Sequence, residues 1–212
     1  MIANAYDYWR RSGAGSSSVY VNLERMCTIE LSVSLIEIDS ERAIVKWRFK
    51  SMNGKSEESG RWIQQTVLAY PKDRELILQE RTAHNEDLAP NETDLWGYSQ
   101  QHLHPCIPSG LELHKVGNES LLLSGEELSC ERYDASVILS LDHPRMKQLC
   151  DREGGSLPPP AAATMRYWIS EHVPGGLVRS QLLGTGAQCP GGVPELGWMI
   201  RSIIRVPPPR SA

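Results

Sequence analysis

Three potential metal ligands fall at alternate positions in His102-Leu103-His104-Pro105-Cys106. On an extended strand that spacing would put all three on one side. A transition metal could be caught there with one outside ligand such as His84 or His114. Pro105 and Pro108 instead favour a loop, and the spacing matches no established zinc framework, so a solvated polar loop is the expectation. Cys130 raises a different chemistry, a thiolate nucleophile whose pKa is lowered by a cation such as Arg132. Its place in an alternating run favours a buried structural thiol. Ser170 and His172 flank Glu171, but no Gly-x-Ser-x-Gly elbow frames the serine, and adjacency in sequence does not make a triad. Glu57-Glu58 and Glu126-Glu127 flank turns. Neighbouring side chains of a strand point to opposite faces, so these pairs read as solvated edges rather than acid/base partners. Asn91-Glu92-Thr93 and Asn118-Glu119-Ser120 fit the glycosylation sequon, which matters only in a eukaryotic secretory route. No catalytic residue, metal site or cofactor is expected, and the chain is not expected to be an enzyme.

What remains is binding. The aromatic usage is lopsided, with six Trp and seven Tyr against a single Phe, Phe49. Trp and Tyr join a large ring to a polar handle and suit sheet faces, rims and binding surfaces. Trp47, Phe49, Trp62 and Trp168 fall on strand-like segments and are the candidate lining of a cavity for an apolar ligand; core packing is the alternative role. The leading expectation is a binding module that holds an apolar ligand on the concave face of a curved sheet. The alternative is a structural or interaction subunit of a larger assembly, using sheet edges and a proline-rich tail for protein contacts.

Composition narrows the field. The 212 residues suit one domain, and 40% hydrophobic against 23% charged residues is ordinary for a globular protein. Net charge is −4, and the 22 basic side chains are dispersed among 26 acidic ones, which argues against a nucleic-acid partner or a polybasic membrane anchor. No stretch approaches the length of apolar sequence that spans a bilayer, and Met1 to Ser18 lacks an apolar signal region. If Met1 is the natural start the expected compartment is cytoplasmic; if a signal was removed, it is the periplasm or envelope. The five cysteines, Cys27, Cys106, Cys130, Cys150 and Cys189, are odd in number and contain no Cys-x-x-Cys, so at least one thiol is free or pairs between chains.

The elements that must position these residues are strands. Thr28 to Leu35 and Ala43 to Lys50 alternate with period two, joined by the polar link Asp39-Ser40-Glu41-Arg42, and this predicts an antiparallel hairpin. Val19 to Leu23 predicts a strand ahead of it, and Asn53-Gly54 a tight turn after it. A third strand is predicted next, with Arg61 to Tyr70 and Glu75 to Glu80 as its candidates, split by Pro71-Lys72-Asp73, and further strands at Ser120 to Leu123, Glu126 to Leu139, Thr164 to Ser170, Leu177 to Leu183 and Leu196 to Val206. A short helix is predicted at Asp142 to Arg152. Residues 82–117 read as an insertion or long loop, 1–206 as one β-rich domain, and 207–212 as a disordered tail. The predicted fold is mainly β: a curved antiparallel sheet or partly closed barrel of about eight to ten strands with one or two short helices.

Three segments carry a resemblance. They are Tyr6-Asp7-Tyr8-Trp9 with Gly15-Ser16-Ser17-Ser18-Val19, then Gly125-Glu126-Glu127-Leu128-Ser129-Cys130-Glu131, then Trp168-Ile169-Ser170-Glu171-His172-Val173-Pro174-Gly175-Gly176-Leu177-Val178-Arg179. In that order, over about a third of the chain, they resemble an uncharacterised group of planctomycete-type bacterial proteins with a Trp-x-Ser-x-x-Val-Pro-Gly-Gly-x-Val-Lys/Arg hairpin. The resemblance implies an antiparallel β protein, broadly similar to the half-barrels of lipoprotein carriers and usually exported. It implies no catalytic residues, and with it the expected apolar ligand becomes a lipid or the acyl part of a lipoprotein and the alternative a subunit of a larger bacterial assembly. The chain departs from the group in lacking a signal and in carrying the long 82–117 segment.

Overall fold

The computed structural model describes residues 5–22, 29–51, 62–69, 76–82, 111–139, 161–185 and 197–208. One short helix, α1 (Ala5–Trp9), precedes ten strands: β1 (Ser17–Asn22), β2 (Ile29–Ile38), β3 (Ala43–Ser51), β4 (Trp62–Ala69), β5 (Leu76–Thr82), β6 (His114–Leu123), β7 (Glu126–Leu139), β8 (Ala161–Ile169), β9 (Leu177–Thr185) and β10 (Gly197–Ile204). They form a single curved, unclosed sheet in the order β5-β4-β3-β2-β1-β10-β9-β8-β7-β6, with every neighbouring pair for which a register is given antiparallel. Two meanders run outward from a centre made by the first and last strands.

Alternation sets the faces. Leu31, Val33 and Leu35 on β2, Val45 and Trp47 on β3, Tyr20 on β1, Trp198 and Ile200 on β10, Leu182 on β9, and Met165 and Tyr167 on β8 are all buried. The register carries one face across the sheet, from Trp47 opposite Val33, through Ser18 and Tyr20, to Ile200, Trp198, Ser180 and Tyr167. Each large apolar side chain withdrawn from water here contributes about 2 kcal/mol. The other face carries cross-strand polar pairs. The strongest is Arg166 on β8, whose guanidinium donates to both carboxylate oxygens of Asp134 on β7 at 2.7 and 2.8 Å.

Turn chemistry fixes the hairpins. Asp39 Oδ1 accepts the amides of Glu41 at 2.7 Å and Arg42 at 2.9 Å, closing the β2–β3 link, and these bonds hold its carboxyl below the usual range. Ser124 and Gly125, both at positive φ, form the two-residue β6–β7 turn between the paired Leu123 and Glu126. The β8–β9 corner runs from Ser170 to Gly176 and is closed by Ser170 N–H to Gly176 O at 2.8 Å and Gly176 N–H to Val173 O at 2.8 Å.

Most predicted strands are present, with boundaries shifted by a few residues, and β4 and β5 are two strands rather than one. β6 begins at His114, inside the stretch read as loop, because Leu113 is buried and anchors its start. α1 was not expected. Its signal is the i, i+3 spacing of Tyr6 and Trp9, which puts two rings on one side of a single turn. The proposed Asn53-Gly54 turn, the Asp142 to Arg152 helix and the His102 to Cys106 cluster lie outside the described residues. Among the described residues no helix is long and apolar enough to cross a membrane.

The corner glycines give a direct test. Gly175 and Gly176 adopt φ of 77° and 81°; a Cβ at Gly176 would lie 2.4 Å from the Tyr8 ring, and one at Gly175 2.7 Å from Trp9. Gly125, at φ 88°, has open space around it. Gly125→Ala should therefore cost only the left-handed backbone, about 1 kcal/mol, whereas Gly176→Ala should cost roughly 3 kcal/mol because Tyr8 must also move. Chemical denaturation of the two variants measures the difference.

Candidate functional site

The segments singled out by the resemblance meet in space. α1 spans the sheet: the Tyr6 hydroxyl donates to Asp39 O at 2.5 Å in the β2–β3 turn, while Tyr8 and Trp9 lie against Gly176 and Gly175. The serines that follow lock this arrangement. Ser18 Oγ donates to Pro174 O at 2.9 Å, and Val206 N–H donates to Ser16 Oγ at 2.9 Å. The Tyr20 hydroxyl donates to Leu177 O at 2.9 Å. The hydroxyls of Ser18 and Tyr20 donate to carbonyls of the corner, and that of Ser16 accepts the Val206 amide.

Between α1, the inner side of the β6–β7 hairpin and the corner lies a cleft of about 430 Å³. Tyr8 and Arg11 come from the N-terminal segment, Ser129, Glu131 and Tyr133 from β7, Asn118 from β6, and Ile169 to His172 from the end of β8 and the corner. Tyr133 donates its hydroxyl to Glu131 Oε2 at 2.5 Å, and Lys115 Nζ pairs with Glu131 Oε1. Arg11 lies 3.5 Å from the Glu171 carboxylate, and its guanidinium is 5.7 Å from the centre of the Tyr8 ring.

The electrostatics follow from these contacts. The bonds from Lys115 and Tyr133 hold Glu131 below the ordinary carboxylate range, so it stays ionised. Burial and the bond to Glu131 push the Tyr133 phenol upward. Burial raises Tyr8 as well; Arg11 opposes the rise and Glu131 adds to it. Near neutral pH the cleft therefore presents two neutral phenols and the ionised Glu131.

Cys130 is buried, its Sγ donates to Leu128 O at 3.4 Å, and burial together with the charge of Glu119 pushes its pKa up to about 11. This is the structural thiol of the first expectation, not a thiolate poised by Arg132. Ser170 Oγ accepts the backbone amide of His172 at 3.4 Å, while the His172 ring lies 4.0 Å from Glu171 and is exposed. Glu126 and Glu127 are exposed at the hairpin end, as read from the sequence. Among the described residues no group of acidic, histidine or cysteine side chains could hold a metal ion.

The cavity candidates are distributed differently. Trp47 is buried on the inner face in the apolar core. Trp168 lies on the opposite face, since it alternates with Tyr167. Its Nε1 donates to Glu119 Oε2 at 3.0 Å, Arg179 stacks 4.8 Å from its ring, and Arg132 faces it across β7. Phe49 on β3 pairs with Ile63, and Trp62 on β4 with Lys50. The structure does not gather Trp47 and Trp168 at one site. Sequence reasoning did not single out Tyr8, Arg11 or Tyr133 as site residues; the first two lie in or beside the Tyr6 to Trp9 motif, which was the available signal.

No protein-family model and no curated protein matches this chain. Among solved structures it is similar to hypothetical protein CT021 from Chlamydia trachomatis, with TM-score 0.55 and 8% identity over 97% of this chain and 94% of the other. It also matches the Pseudomonas aeruginosa MucA/MucB complex, with TM-score 0.44 and 12% identity over 98% of this chain and 59% of the other. At such identity the first likeness shows a shared fold.

The Cys130 environment predicts a pH effect of definite sign. The folded chain holds the thiol proton to about pH 11 against an ordinary 9.0, so its contribution to stability is complete below pH 9 and is lost as pH rises toward 11. Across that window the wild type should lose roughly 2 kcal/mol more than Cys130→Ala, measured by urea unfolding at each pH.

Proposed function

We propose that the protein is a non-enzymatic binding module whose site is the cleft between α1, the β6–β7 hairpin and the Ser170–Gly176 corner. The observation that carries this reading is the convergence there of three segments remote in sequence, from α1, β7 and the β8–β9 corner, on a space of ligand size. The two phenols and Ile169 supply contact area. Glu131, Glu171 and Arg11 supply orientation, and each is half-exposed at the rim, where a bound group could reach it. A protonated thiol and a serine turned to a backbone amide support binding over catalysis.

A lipid or lipoprotein acyl chain on the inner face is the competing reading. Trp47, Val45, Leu31, Tyr20 and Met165 are buried in one core, so an acyl chain would have to part them. The polar lining of the cleft supports a ligand with a polar or charged group.

Native mass spectrometry of the full chain purified from its own host separates the two. The expected result is a retained polar adduct whose occupancy falls about tenfold in Arg11→Ala and Glu131→Gln, both half-exposed positions that should fold normally. A fatty-acyl adduct held equally by wild type and both variants would contradict the reading.

A further inference from the structure

The cleft continues along β6. β6 is the last strand of the sheet, and among the described residues no strand pairs with its far side. After the irregularity between Lys115 and Gly117, the register with β7 is regular from Asn118 to Leu123. Such an edge is a ready template for another extended chain unless a bulge, proline or charge blocks it. The irregularity protects only the start of β6, and Asn118 to Leu123 contains no proline and a single charge, Glu119, which is held on the outer face by Trp168 and Arg132.

The edge and the cleft share a surface. Asn118, which lines the cleft, pairs with Glu131; Ser120 pairs with Ser129, and Leu122 with Glu127. All six side chains are exposed, Leu122 to 78%. Along this strip, with Glu171 at the corner, the carboxylates are Glu127, Glu131 and Glu171. Lys115 answers Glu131 and Arg11 answers Glu171, while Glu126 and Glu127 at the hairpin end have no ion-pair partner among the described residues.

We infer that the ligand of this site is an extended polypeptide segment with Lys or Arg at alternate positions, added as a further strand beside Asn118–Leu123. The inference rests on the binding reading of the cleft and names its ligand class. Backbone hydrogen bonds to the β6 edge supply affinity that does not depend on sequence. The strand period of two puts every second side chain beside Asn118, Ser120 and Leu122, from where a long cationic side chain reaches across β6 toward Glu127, the carboxylate of the strip without an ion-pair partner among the described residues, and toward the rings of Tyr8 and Tyr133 that line the cleft. Leu122 gives the segment one apolar contact.

Fluorescence anisotropy of the full chain in four binding experiments tests this. They are a dye-labelled octapeptide alternating lysine and threonine, the same peptide N-methylated at every amide, its glutamate-threonine counterpart, and the first peptide with Leu122→Lys protein. Binding of the lysine-threonine peptide is expected to weaken about tenfold or more on N-methylation, because several edge hydrogen bonds are lost together. It should also weaken with the glutamate counterpart, with Leu122→Lys and with rising salt. Equal binding of the methylated peptide would overturn strand addition. Equal binding of the acidic peptide would overturn charge selection, and failure of every peptide would overturn the inference as a whole. None of these failures alters the dependence of a retained adduct on Arg11 and Glu131, so the cleft reading stands or falls on its own measurement.

Discussion

The pairing of the first strand with the last is the constraint on which the molecule depends. β2 to β5 and β6 to β9 are two meanders, and among the described strands the only ladder that joins them is β1 with β10. The register from Ser17 with Ile204 to Asn22 with Trp198 is reinforced at its end by Gly13 N–H to Val206 O at 2.7 Å and by the Ser16 bond to the Val206 amide. Holding the chain ends together is non-local, so its entropic cost must be met by a well-packed centre. Tyr20, Ile200 and Trp198, buried along that seam, provide it.

The site is a consequence of this seam. Because β1 sits at the centre, the residues just before it are delivered over the sheet rather than to its edge, and α1 can touch the β2–β3 turn through Tyr6 and the β8–β9 corner through Tyr8 and Trp9. The corner accepts those rings only because its two glycines have no Cβ and take positive φ. The same contacts leave Arg11, Glu131 and Glu171 around an open space, with Tyr133 where that space meets the core. Ionised Glu131 and the neutral phenols face the cleft, and Cys130 beside it keeps its proton.

Much of the fold was legible because period-two alternation is a local signal. Ile29 to Ile38, Ala43 to Ser51 and Glu126 to Leu139 could be read directly, as could the reversal at Pro174-Gly175-Gly176. Strand order was not, since nothing in Val19 or Ile200 states that they share a ladder. Of the site, the sequence marked the three segments but not their meeting, which depends on long-range bonds such as Ser18 to Pro174. The tryptophan candidates and the cleft do not coincide, for a physical reason. Ring size marks a residue as buried without stating the face, and Trp168 is buried by arginine stacking on the face opposite Trp47.

Amide hydrogen exchange of the full chain, followed residue by residue, tests the seam most directly. The account predicts that the hydrogen-bonded amides of β1 and β10 exchange only through global unfolding, with the same opening free energy as the centres of β2 and β8. Protection that persists in β6 to β9 while β1 to β5 and α1 exchange freely would show two independent halves, and would contradict a cleft built by joining the chain ends.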